Sequence, residues 1–393
     1  MTNELKYRDV LYNDVQLGPY PLEKLRRVAK PTNAYVGPIA RRDPREHALA
    51  VSGRGDYGEA VKQRTPLLNA SEPLNAALAE VQRHINTIAK TPVAAKKAPI
   101  PDNPRVLSRH IKSLGYFLGA DIVGICRLPE SAVYANDMRG QPIQPGFRYA
   151  IVALSRKMAK TVNASNGFDW IFGAVSFQAY QRLACQTETM ANYIRRLGYE
   201  AEASNLWNYL TLMPQLIIEA GLGEVSRMGI AVNPFIGANF KAAAVLTNLP
   251  LEVDLPTDFG LQEYCQGCRI CVELCPSKAI PEGGKTVYNG YETWKLDERR
   301  CSSFSMLNSR GKICGRCTAM CPWNRPDVSP EHYADWDGNM DKILDEVNLR
   351  AQQLKEHNYS RATEKTDKWW FDLDLAADGS LIIPLTSERL EQS

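Results

Sequence analysis

Helices that alternate with apolar strands, followed by a segment dense in cysteine, predict a layered α/β (α+β) fold carrying a small separate module. The first observation is an amphipathic repeat, with Leu107, Ile111, Leu114 and Leu118 at helical spacing. The second is a series of apolar runs that read as buried strands: "ADIVGICRL" (120–128), "RYAIVAL" (148–154) and "FKAAAVLTNLPL" (240–251). The third is a pair of cysteine sets between Cys265 and Cys321.

The elements follow in chain order. Residues 1–90 mix polar and apolar positions with scattered prolines, and are expected to form helices and long loops around the core. The stretch "KTPVAAKKAPIPDNP" (90–104) is rich in proline and reads as a linker crossing the surface. Asn103 and Pro104 then suit the N-cap and first position of the amphipathic helix, and Gly119 suits its stop. After the first two strands a long helix is expected over about 176–197, ending at Gly198. The cysteine segment 261–330 is loop-rich. The tail from 331 is polar and partly helical, with one aromatic patch, "KWWFDLDL" (368–375). The divisions are therefore 1–104, 105–260, 261–330 and 331–393, the last packing on the core.

An apolar content of 44%, a charged content of 23% and a net charge of +3 are ordinary for a globular protein, and no strong nucleic-acid or membrane attraction is demanded. No apolar run approaches the ~18 residues of a membrane span. The N-terminus lacks an apolar signal core, and polar sequence follows the pairs Arg26-Arg27 and Arg41-Arg42, so a cytoplasmic protein is expected. Ten cysteines in such a chain argue against a disulfide framework. Cys126 and Cys185, outside the two sets, read as plain buried thiols.

The first set, Cys265, Cys268, Cys271 and Cys275 followed by Pro276, has the C-x2-C-x2-C-x3-C-P spacing of bacterial ferredoxins. In that run three thiolates hold one [4Fe–4S] cube and the fourth serves the other. The second set is Cys301, Cys314, Cys317 and Cys321, followed by Pro322. Crossed ligation assigns Cys265, Cys268, Cys271 and Cys321 to one cluster, and Cys275, Cys301, Cys314 and Cys317 to the other. Zinc, the competing ion, favours two separated cysteine pairs and fits this run poorly.

Other motifs are weak. Gly53, Gly55 and Gly58 spell G-x-G-x-x-G, but only "ALAV" precedes them and Pro66 cuts the next helix short; a surface loop is expected rather than a dinucleotide site. In "IIEAGLGEVSRMG" Ser226 stands where a third glycine belongs. His47, His84, His110, His332 and His357 are widely scattered, and no P-loop or H-E-x-x-H appears.

Residues 219–276, "EAGLGEVSRMGIAVNPFIGANFKAAAVLTNLPLEVDLPTDFGLQEYCQGCRICVELCP", resemble the cobalamin-dependent reductive dehalogenases. The shared features are the E-A-G-L-G-E segment, the glycine after the arginine, the T-N-L-P-L strand and the first cysteine run at the right distance; the expanded second set and "DKWWFDLD" also match. The resemblance runs from about residue 105 to 376 and suits the cytoplasmic, non-respiratory type. Epoxyqueuosine reductases, which act on a tRNA base, belong to the same superfamily.

The resemblance implies a nitroreductase-like domain cradling base-off cobalamin, fed by the ferredoxin-type module. No D-x-H-x-x-G motif offers a histidine to cobalt, as in that family. It implies Tyr180 as proton donor, Lys241 as the cation beside it, Asn205 as a polar pocket residue and Arg310 as a weaker substrate contact. It also implies Asn205, Gly221, Gly223 and Asn239 around the cofactor. Many relatives carry arginines where this chain has Asn239 and Lys241, and lysine, a compact ammonium, alters the pocket. The implied substrate is a small-molecule organohalide, an aromatic one, and the implied partner an external low-potential donor such as a ferredoxin, a flavodoxin or a separate reductase, since no fused reductase domain precedes Ser393. The alternatives are an epoxyqueuosine-reductase-like enzyme, against which the near-neutral charge counts, and a cobalamin-free electron carrier.

Overall fold

The computed structural model describes residues 16–68, 72–165, 167, 169–308, 313–356, 368–371, 373–375 and 380–382. At its centre lie the strands β1 (Ile122–Arg127), β2 (Tyr149–Arg156), β3 (Ala201–Ser204) and β4 (Phe240–Thr247), in the spatial order β1-β2-β4-β3. Every pairing is antiparallel, which makes this the α+β form of the expected class.

Side chains alternate across the sheet, and both faces are covered. Ile125, Ile151, Ala153, Ala243 and Val245 point to one face; Ile122, Val152, Leu154, Ala244 and Leu246 point to the other. Two buried faces explain why these strands read as continuous apolar runs rather than as alternating ones. The first face packs against α3 (Pro104–Phe117) and α4 (Ile171–Arg196) through Leu107, Ile111, Leu183, Met190 and Ile194; the earlier helices are α1 (Ala48–Arg54) and α2 (Pro73–Ile85). The second face packs against α5 (Met213–Glu219) and the cysteine segment. At Gly124 a Cβ would lie 2.8 Å from the Ala220 carbonyl and 2.6 Å from Leu222, so glycine lets the chain after α5 approach β1.

The ends of α3 follow the sequence. Asn103 Oδ1 accepts from the Arg105 and Val106 amides at 3.0 and 3.4 Å, Pro104 opens the first turn, and Gly119 follows the last turn at φ +88°. The helix α4 begins earlier than expected, at Ile171, because the tail secures its start. Trp170 Nε1 donates to the Phe371 carbonyl and Trp370 Nε1 to Asp169, each at 2.8 Å. The last strand stops at Thr247, where the threonine hydroxyl accepts from the Leu249 amide at 3.0 Å and turns the chain ahead of Pro250.

Four expectations need correction. The 90–104 stretch is not a free linker: the Ala94 and Ala98 amides donate to the Arg195 and Leu197 carbonyls at 2.9 and 3.0 Å, closing the end of α4. The cysteine segment is not set apart from the rest of the chain, since Cys265, Cys275, Cys321 and Trp323 share one apolar core with Leu154, Leu246, Ile343 and Val347. Cys185 is exposed, on the outer side of α4, whereas Cys126 is buried as expected. Gly53, Gly55 and Gly58 form a helix–turn–helix rather than the expected loop, and among the described residues no strand precedes it. Among the described residues no helix is long and apolar enough to cross a membrane.

Candidate functional site

The eight clustered cysteines come together in two groups. The charge of Cys321 is felt with those of Cys265, Cys268 and Cys271, while Cys301 and Cys314 interact with Cys275. Cys317 faces Cys314, Cys301 and Cys275, and also Cys271 across the divide. These are the two sets that crossed ligation assigns. Burial pushes the Cys265 and Cys271 thiols up to about 12 and Cys301 up to about 11, with neighbouring thiols adding to the rise. Cys275 alone is lowered: burial raises it, but hydrogen bonds from the Ser277 hydroxyl and the Ala279 amide, at 3.4 and 3.3 Å, outweigh that effect.

Mutually repelling thiolates in an apolar core need cationic iron between them, so the donor set fits two clusters. Among the described residues no three metal-binding side chains converge on a single-ion site. Arg227 fixes the first cysteine loop. Its buried guanidinium donates to the carbonyls of Cys265, Pro281 and Gly283 at 3.0, 3.1 and 2.9 Å, and its carbon lies 4.8 Å from the Trp294 ring centre.

A cavity of about 380 Å³ lies between the sheet and this segment. It gathers Tyr180 from α4, Asn205 from the turn after β3, Lys241 from the start of β4, and Thr318, the residue after Cys317. Lys241 Nζ sits 4.9 Å from the centre of the Tyr180 ring. The register of β4 holds Lys241 opposite Ser155. Asn205 is 4% exposed; its side-chain amide donates to Thr187 and Glu188 at 3.4 and 3.5 Å, and its Oδ1 has no hydrogen-bond partner among the described residues. Leu206, Met213, Ile217, Ile230 and Phe240 supply apolar walls. A second cavity of about 320 Å³ shares His47 and Tyr209 with the first, and Pro44, Leu49 and Ala50 line it.

The remaining expected residues divide. Asn239 binds backbone: its Nδ2 donates to the Lys157 carbonyl at 3.2 Å. Gly221 and Gly223 are explained by packing rather than by a ligand, since a Cβ would overlap Arg27 and Leu255 at the first and the Val232 carbonyl at the second. Arg310 lies outside the described residues.

Sequence reasoning missed Lys157, His47 and Tyr209 as cavity residues. No local signal marks Lys157 or Tyr209, and His47 belongs to a segment whose motifs are weak. Tyr209 is 37% exposed as a residue, but its phenol group is enclosed; that burial and the facing Tyr180 push its pKa up.

The sequence matches the 4Fe-4S dicluster domain family over residues 264–333, so the cysteine segment is a two-cluster module. The tetrachloroethene reductive dehalogenase of Sulfurospirillum multivorans is 29% identical over 67% of this chain and 60% of its own length. The epoxyqueuosine reductase of Salmonella typhimurium is 27% identical over 56% of this chain and 65% of its own. Among solved structures, the catabolic reductive dehalogenase NpRdhA superposes with a TM-score of 0.83 at 34% identity, over 96% of this chain and 55% of that one. The chain is thus a homologue of the reductive dehalogenases, with epoxyqueuosine reductases as relatives. It spans just over half of NpRdhA and 60% of the dehalogenase from Sulfurospirillum multivorans.

Proposed function

We propose that the protein is a reductive dehalogenase dependent on a corrinoid and iron–sulfur clusters, replacing the halogen of an organohalide, an aromatic one in the first instance, by hydrogen. Two electrons and one proton enter, and a halide ion leaves. The observation that carries this reading is the convergence of Tyr180, Lys241 and Asn205 on one cavity whose wall at Thr318 adjoins the cluster thiol Cys317. The relatives are named for this chemistry.

The cavity offers an amide-fringed macrocycle a wall that mixes apolar side chains with hydroxyl and amide groups, and the buried Asn205 Oδ1, without a partner among the described residues, is an acceptor for an amide donor. Cobalamin, when bound, supplies the low-potential metal that breaks the carbon–halogen bond. Tyr180 holds the proton at its phenol oxygen, and the Lys241 ammonium lies over its ring. Asn205 orients the bound groups, and the apolar walls exclude water. The proposed source of the electrons is an external low-potential donor, which passes them to the clusters.

The test is halide release from a bromophenol by protein reconstituted anaerobically with iron, sulfide and cobalamin, with a chemical reductant as donor. Bromide and phenol formed in equal amounts support the reading. No bromide from fully loaded protein with any organohalide tried sinks it.

A further inference from the structure

Lys157, at the end of β2, is 3% exposed. Its ammonium has neither an ion pair nor a hydrogen bond among the described residues; it lies 4.5 Å from the centre of the Phe172 ring. The backbone holds it in place, with the Lys157 amide donating to the Asn239 carbonyl at 2.9 Å and Asn239 Nδ2 donating back at 3.2 Å. Phe172 in turn packs on Gly315, between Cys314 and Cys317, where a Cβ would overlap its ring. An unpaired ammonium this deeply buried is costly, and such groups persist where an anion complements them.

Burial first, and then the Lys241 charge across the cavity, hold the Lys157 pKa well below the ordinary lysine range, and Cys317 acts the other way by attracting its ammonium. The cavity wall carries no carboxylate. The attraction therefore points to the cluster side, where four thiolates outweigh the charge of an iron–sulfur cube in either oxidation state.

We propose that Lys157 is a positioning residue that serves as the buried counter-charge of the cluster held by Cys275, Cys301, Cys314 and Cys317, and so raises that cluster's reduction potential above its value without the cation. A fixed cation favours the reduced, more negative state. It draws the electron toward the end of the module that adjoins the cavity. The other cluster has its own buried cation, Arg227, whose donors are taken up by backbone carbonyls. This inference rests on the two-cluster module and not on dehalogenation, so the potentials are read without cobalamin or substrate.

The experiment is an EPR-monitored redox titration of the iron-loaded full chain as native protein, Lys157→Met and Lys157→Arg, with iron content measured for each. A unit charge in this setting is worth on the order of tenfold in the reduction equilibrium, about 59 mV for one electron. Lys157→Met lowers one cluster's midpoint by that amount and leaves the other in place, whereas Lys157→Arg keeps both. Unchanged midpoints in Lys157→Met, or equal shifts in Lys157→Met and Lys157→Arg, overturn the proposal. If Lys157→Met fails to load iron, Lys157→Gln is read in its place. Failure of both neutral variants with full loading of Lys157→Arg supports the counter-charge, and failure of all three assigns Lys157 to packing.

Discussion

Two phenols face the same cavity, and their surroundings assign them different work. Tyr180 has the Lys241 ammonium over its ring, whereas burial, Tyr180 and Tyr134 all act to keep the proton on Tyr209. Tyr180→Phe is expected to slow turnover by about 10²–10⁴-fold, the usual worth of a positioned proton donor, while Tyr209→Phe leaves turnover within a few-fold. Steady-state kinetics on the loaded protein reads both, and equal losses in the two variants would contradict the assignment. Glu188 carries a separate prediction. Burial, reinforced by the charge of Glu202, raises its pKa in the folded chain above the unfolded value of about 4.3. The folded state therefore loses stability as pH rises above that value through the raised pKa, and loses none below it. Glu188→Gln should accordingly be more stable than the native protein at neutral pH and no different at pH 4 in denaturant unfolding. The cysteines were the most legible residues, because one cube takes its ligands from a short run and the spacing itself encodes the geometry. Lys157 and Tyr209 were not legible, because each becomes a cavity residue only when strands and turns distant in sequence meet.

At the scale of elements, the contact that joins cluster to cavity is the seat of α4 on the second cysteine loop. Phe172 covers Gly315, and the Gly315 amide donates to the Gly167 carbonyl at 2.9 Å. Gly315→Ala forces these apart, at a cost of about 1–3 kcal/mol for an overpacked contact. The expected result is an iron content reduced toward that of one cluster, and full loading with native stability would contradict it. The same scale decides what the sequence revealed of the fold. The helix α3 was legible to its caps, because Asn103, Pro104 and Gly119 act locally. The strands β1, β2 and β4 were legible because two covered faces make them wholly apolar. The strand β3, four residues, and α5, seven, are too short to carry a period, and only their neighbours define them. The role of 90–104 was hidden for a similar reason: its prolines suggest a linker, but its amides complete the end of a helix far along the chain.

Across the whole molecule, one apolar core runs from Tyr20 through the sheet to the cysteine segment and on to Val347. Iron removal should therefore lower the stability of the entire chain in one cooperative transition, rather than melt a tethered module. Thermal unfolding followed by far-ultraviolet circular dichroism reads this, and a native transition that survives cluster loss would show that the two parts fold independently. The shared core also gives the account its central claim, that the cavity holds a redox cofactor against the module that feeds it. The most direct test is the cobalt(II) EPR spectrum of protein reconstituted anaerobically with iron, sulfide and cobalamin, recorded with and without a bromophenol. The account predicts a five-coordinate base-off signal that the bromophenol perturbs. Fully iron-loaded protein that retains no cobalt would contradict it and leave an electron carrier in its place.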